Sequence, residues 1–203
     1  MSGSFITRLG IGGIPFLFPL LYQVGLGFSP MASGLLMMPQ AIAAMSLKRT
    51  MPRILARFGY RTVLVSNTIF IGLLILLFST IARGTLVWLI MMMVFCYGFF
   101  TSLQYTSMNT LVYADVTDEQ ASAASSIAST LQQMSISFGV ATASLVTAAF
   151  LPDRFRANPT QFIHGIHQAF GVLGAMTVLS TLIFRELQRG DGGAVSRARQ
   201  RHP

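Results

Sequence analysis

LVWLIMMMVFCYGFFTSLQYTSM, residues 86–108, runs for 23 positions without a charged side chain. A helix rises about 1.5 Å per residue, so a hydrocarbon layer ~30 Å thick takes about 20 apolar residues to cross. A soluble helix of that length would carry a charged face opposite its apolar stripe. This stretch has nothing to place on such a face, and it reads as a transmembrane helix.

Similar runs lie on either side. Together they give six expected spans, at about 5–26, 30–47, 62–82, 86–108, 121–150 and 163–184. Spans one and two are separated by the turn Leu26-Gly27-Phe28-Ser29-Pro30, with Pro30 near the first helical position, where its missing N–H is no loss. Spans two and three are joined by the basic stretch Lys48 to Arg61, and spans three and four by a turn at Arg83-Gly84. Composition agrees: 53% of residues are apolar, 10% are charged and mean hydropathy is +0.63. Soluble domains carry roughly 25% charged residues, so a water-exposed globule is excluded. The expected fold is an all-α membrane protein, with residues 1–184 as a six-helix transmembrane bundle.

The single cysteine, Cys96, lies inside an apolar run and rules out a disulfide framework. The formal charge of +8 does not mark a nucleic-acid binder, because the basic residues sit at the ends of apolar segments or in the last 19 residues. Their expected partner is the anionic membrane surface, so the partners read as lipid bilayer and no nucleic acid. The first apolar run, Phe5 to Val24, is too long for a signal-peptide core and is expected to be retained.

Lysines and arginines set orientation. With an even number of spans both termini share a side. That side collects Arg8, five basic residues between Lys48 and Arg61 and five tail arginines, eleven in all, against Arg83, Arg154 and Arg156 on the other. Both termini are therefore expected in the cytoplasm. Residues 185–203 contain three glycines, five arginines and little that is apolar; they read as a disordered basic tail resting on anionic lipid.

Several residues are candidates for function. Gly10, Gly12, Gly13, Pro15 and Pro19 crowd the first span. Proline removes a helix hydrogen bond and glycine eases bending, so Gly12, Gly13, Pro15 and Pro19 form a candidate hinge of the kind that lines transport pathways. The plainer reading is that membrane helices are generally richer in both residues. Arg8 lies about one turn into the same span, where it either snorkels to the surface or binds an anion or substrate. Gln104, Asn109, Gln132 and Gln133 are the uncharged polar residues suited to a cavity or to interhelical hydrogen bonds. No acidic residue falls inside any span, so no proton site is expected here. Asp118 and Glu119 instead belong to Thr117-Asp-Glu-Gln120, a capping box. His164 and His167 are two ligand types without a third, so neither a metal nor any other cofactor is expected.

The residues also carry a resemblance. Ser4-Phe-Ile-Thr-Arg-Leu-Gly10, Phe16 to Pro30 with Ala32 to Pro39, Arg57-Phe-Gly-Tyr-Arg61, Gln104-Tyr-Thr-Ser-Met-Asn-Thr110, and Ala121 to Ala141 with Gln132-Gln133 and Gly139 are similar to the carboxy-terminal part of the major facilitator superfamily. The branch resembled is that of the fourteen-span drug:proton antiporters of the EmrB/QacA type. The resemblance implies two inverted three-helix repeats, equivalent to the carboxy-terminal half of that fold, in a bacterial inner membrane. It implies a small amphipathic or drug-like substrate, with Arg8, Gln104, Asn109 and Gln133 along its pathway. Arg57, Gly59 and Arg61 look like the family's cytoplasmic loop motif, with Ala56 in place of the usual Asp. The resemblance further implies a partner, either a missing amino-terminal half or a second subunit.

The leading expectation is thus the carboxy-terminal half of a proton-coupled multidrug efflux transporter, as a fragment or half-unit. A non-transporting membrane structural or assembly subunit, or a remnant, is the alternative. An intramembrane serine protease lacks support, since no Gly-x-Ser-x-Gly nucleophile accompanies a membrane-embedded histidine.

Overall fold

A computed structural model describes residues 2–112, 121–151 and 159–185. Among these residues every regular element is helical: α1 (Ser2–Gly12), α2 (Ile14–Pro19), a π-helical turn (Leu20–Gly25), α3 (Pro30–Phe58), α4 (Tyr60–Phe78), α5 (Val87–Val112), α6 (Ala121–Phe150) and α7 (Pro159–Arg185). Four of them hold windows long and apolar enough to cross a bilayer: Pro30–Leu47, Val87–Thr110, Ser122–Phe150 and Thr160–Thr181. α4 supplies a shorter apolar stretch, Thr62–Phe78, of 17 residues, about 25 Å of helix. The expected first span is not one rod but three consecutive pieces. The capping box at Thr117, the acidic residues, Arg154, Arg156 and the tail beyond Arg185 lie outside the described residues.

Local chemistry explains the boundaries. Ser29 caps α3, its Oγ accepting from the Ala32 N–H at 3.2 Å, with Pro30 following at the first helical position. The first span breaks where its glycines and prolines lie. Gly13 ends α1, Pro15 opens α2, and Pro19 cannot donate back to the preceding turn. The chain answers with wider bonds: the Leu26 N–H reaches the Leu21 carbonyl at 2.8 Å, and the Phe28 N–H reaches the Tyr22 carbonyl at 2.9 Å.

One expectation is corrected. Residues 48–61 are not a loop. α3 continues through this basic stretch to Phe58, Gly59 alone makes the corner, and α4 starts at Tyr60. Arg57 therefore sits in the last turn of α3 and Arg61 in the first turn of α4. The charges obscured a helical apolar spacing, Leu47, Met51, Ile54 and Leu55, which packs with Val63, Phe99 and Leu103. Gly59 holds φ at 72°, where a side chain would be strained. Its N–H bonds to the Leu55 carbonyl at 3.0 Å, and its own carbonyl accepts from Val63 at 3.1 Å, so one residue closes one helix and opens the next.

Helices pair across the bundle as α4 with α7, α3 with α5, and α1 with α6. The centre is aromatic. Phe18 of α2 lies edge-on to Phe78 with ring centroids 4.8 Å apart, edge-on to Tyr97 at 5.7 Å, and stacks on Tyr22 at 5.6 Å. Phe170 of α7 completes the cluster at 6.1 Å. Between α1 and α6 the backbones nearly touch. A β-carbon on Gly12 would lie 2.9 Å from the Ile136 Cα, and one on Gly139 would lie 2.9 Å from Gly12 itself. Small residues are what permit helices to approach this closely in a membrane.

Candidate functional site

α6 shows three faces. Ser135, Gly139, Ala143 and Thr147 turn inward and are buried. A second face, Ile127, Leu131, Met134 and Phe138 at spacings of four, three and four, is exposed and apolar. A third face, Ser122, Ser126, Ser129, Gln133 and Ser137, is exposed and polar. The second and third faces meet at an open groove of about 750 Å³ lined by Ser129, Thr130, Gln133, Met134, Ser137, Phe138 and Ala141.

Some of the hydroxyls on this helix bond to their own backbone. Ser126 Oγ donates to the Ser122 carbonyl at 3.1 Å and Thr130 Oγ1 to the Ser126 carbonyl at 2.9 Å. Gln133 differs: it is exposed, and its amide has no partner among the described residues. Facing hydrocarbon, that amide would forfeit several kcal/mol, on the order of the cost of any unsatisfied polar group in lipid. It therefore belongs on a wet surface.

Arg8 and Asn109, 101 residues apart in sequence, are brought together: Arg8 Nη2 donates to Asn109 Oδ1 at 2.6 Å. The guanidinium carbon lies 5.2 Å from the centre of the Tyr105 ring, a cation–π contact. Arg8 is only 6% exposed, and its Nη1 has no hydrogen-bond partner among the described residues. This arginine does not snorkel. Gln133 takes no part in the pair.

Gln104 stands apart from both. It is fully buried between α4 and α5, where its Oε1 accepts from Asn67 Nδ2 at 2.7 Å and its Nε2 donates to Thr68 Oγ1 at 2.7 Å. Asn67 Nδ2 also reaches the Phe100 carbonyl at 2.7 Å. The arrangement clamps two helices together and presents nothing to a cavity. Gln104→Leu removes a donor and an acceptor at once and should lower bundle stability by about 1–2 kcal/mol, measured by thermal unfolding in detergent. Asn67 and Thr68 were missed at the level of sequence, although an Asn in mid-run of a 21-residue apolar stretch was a legible signal. Tyr105 was missed too, since a ring in an apolar run announces no charge partner.

The candidate hinge residues line up with the break in the first span. Gly12 and Gly13 are buried against α6, while Pro15 is exposed and Pro19 half-buried. Bending at the glycines would have to carry α6 along. The two histidines remain separate: His164 is exposed, and His167 Nε2 lies 2.7 Å from the Ile81 carbonyl. No group of three metal-ligating side chains occurs among the described residues.

Residues 1–140 match the profile described as Major Facilitator Superfamily. Proteins named MdtD, with a provisional multidrug-resistance ascription, are similar over most of the chain. The one from Cronobacter sakazakii is 40% identical over 166 residues, covering 82% of this chain and 35% of the relative. The one from Serratia proteamaculans is 40% identical over 170 residues, covering 84% and 35%. A third, from an Enterobacter species, is 35% identical over 184 residues, covering 91% and 39%. The chain thus spans little more than a third of the length of these curated relatives. No solved structure matches it. The matched stretch and the relatives show the family: the chain belongs to the Major Facilitator Superfamily, with sequence of the MdtD type.

Proposed function

We infer that the chain is the carboxy-terminal helical unit of a proton-coupled multidrug exporter in the bacterial inner membrane. It moves small amphipathic molecules between itself and a second helical unit, placed elsewhere in the same polypeptide or in a separate one. The observation that carries this reading is the polar face of α6: Ser122, Ser126, Ser129, Gln133 and Ser137 stand exposed along one side of a membrane helix, and the unpaired amide of Gln133 among them suits a water-filled passage. The apolar stripe alongside and the greater length of the relatives support the second unit.

In this reading the bundle has six spans, the first being α1, α2 and the π-helical turn together, arranged as two inverted repeats. Reciprocal pairing supports the repeats. Span one lies on span five as span four lies on span two, and spans three and six pack on each other. Gly98 of α5 approaches Gln40 of α3 as closely as Gly12 approaches Ile136. Both termini face the cytoplasm, residues 185–203 form a separate basic tail, and the broken first span flexes together with α6.

A labelling experiment tests the passage and the transport at once. In a Cys96→Ala background, cysteines placed at Ser129, Gln133 and Ser137 should react with a water-soluble maleimide, while those at Ile127 and Leu131 should react about tenfold more slowly or not at all. Dye accumulation is followed in cells producing the chain alone and together with the amino-terminal region of an MdtD relative. Accumulation should fall, and labelling at Gln133→Cys should restore it. Unchanged accumulation in both settings sinks the transport reading.

A further inference from the structure

Arg8 is charged, 6% exposed and bonded to an amide where a buried cation ordinarily meets a carboxylate. Its surroundings leave a defined vacancy in its bonding. Tyr105 covers one face of the guanidinium. Asn109 takes one N–H of Nη2, and Nη1 is buried with no hydrogen-bond partner among the described residues. What remains is a planar donor edge beside an aromatic ring. Asn109 has the shape of an aspartate without its charge, so the pair keeps a net positive charge that a simple Arg–Asp contact would have cancelled.

The geometry points to an anion subsite at Arg8 that takes the carboxylate of an aromatic or otherwise apolar monocarboxylic acid. One N–H of Nη1, with a parallel N–H from a neighbouring guanidinium nitrogen, matches the two oxygens of a carboxylate. The apolar body of the ligand can lie along Tyr105. Tetrahedral inorganic anions also meet a guanidinium edge bidentately, but they surrender more hydration on entering an apolar interior. Arg8 stands one helical turn before Gly12, where α1 crosses α6, so the subsite sits beside the helix that carries the polar face. The inference rests on the transport reading for its purpose, and it names a substrate class for that passage: weak organic acids, held in their ionised form.

Equilibrium binding to the purified full chain in detergent tests it, with 1-naphthoate as the probe and the uncharged 1-naphthamide as its control. Naphthoate should bind at least about tenfold more tightly than the amide, the difference a charge-assisted pair of hydrogen bonds makes. Arg8→Gln should erase that preference, the acid and the amide then binding alike. Asn109→Asp should also abolish naphthoate binding, and it should raise the melting temperature, because an internal carboxylate then occupies the arginine. That gain in stability separates a closed site from a chain that has failed to fold. Equal binding of acid and amide to the cooperatively melting wild-type chain overturns the subsite, as does binding of neither. Retention of naphthoate affinity by Asn109→Asp overturns it as well. Displacement of naphthoate by sulfate at equal concentration would reassign the site to inorganic anions and overturn the carboxylate assignment; failure of sulfate to compete supports it. Because binding is measured without transport, loss of the export reading leaves these outcomes interpretable, and their failure leaves the export reading standing.

Discussion

Phe18→Ala should be among the most damaging single truncations in the bundle, lowering stability by about 3 kcal/mol. Phe18 is fully buried and meets the rings of Tyr22, Phe78, Tyr97 and Phe170, which come from four different segments of the chain. In lipid the transfer of apolar surface out of water contributes little to helix association, so what the substitution forfeits is packing: dispersion contacts and edge-to-face ring geometry. The void it leaves is walled by stiff rings on separate helices, none of which can follow the lost atoms inward without dragging its helix. Thermal unfolding in detergent should show the loss, and Phe18→Leu should recover a good part of it. If Phe18→Ala melts like the wild type, the aromatic cluster is not what holds the bundle's centre together.

Gly139→Val should do comparable harm by the opposite route. A side chain there meets the backbone of Gly12 within van der Waals radii, and backbone cannot rotate aside as a side-chain tip can. The helices must separate, and overpacking of this kind costs about 1–3 kcal/mol, with the upper end expected where both neighbours are main chain. Gly139→Ala should be milder yet still destabilising. Export should fall further than stability alone predicts, because α1 and α6 carry the arginine and the polar face respectively. Melting curves and dye accumulation measured on the same variants separate the two effects.

Four of the six expected spans were legible because hydrocarbon thickness fixes a length that charge-free runs display directly. α6 runs from Ala121 to Phe150, as its run of small and apolar residues announced. The break near Gly12 and Gly13 was legible for a related reason, since proline and glycine act on the backbone wherever they stand. Other features were not. The continuation of α3 past Leu47 was hidden because a count of basic residues outweighed the spacing of Met51, Ile54 and Leu55. The Arg8–Asn109 pair joins positions 101 apart, and no local pattern encodes that meeting. Gln104 and Gln133 look alike in a sequence, one amide in each apolar run. Only packing tells the clamp between α4 and α5 from the residue on the open groove.

α3 is longer than the layer it crosses. Its 29 residues make a rod about 43 Å long, against a hydrocarbon layer of ~30 Å. The surplus, bearing Lys48, Arg49, Arg53 and Arg57, must stand in the headgroup region or above it, helical throughout but carrying Pro52, which removes one hydrogen bond from its ladder. A tilt of the buried portion is displayed outside as a swing of the basic end, to the extent that the helix holds straight through Pro52. Anionic lipid gripping that end, or a protein docking on it, acquires mechanical leverage over the membrane interior without reaching into it.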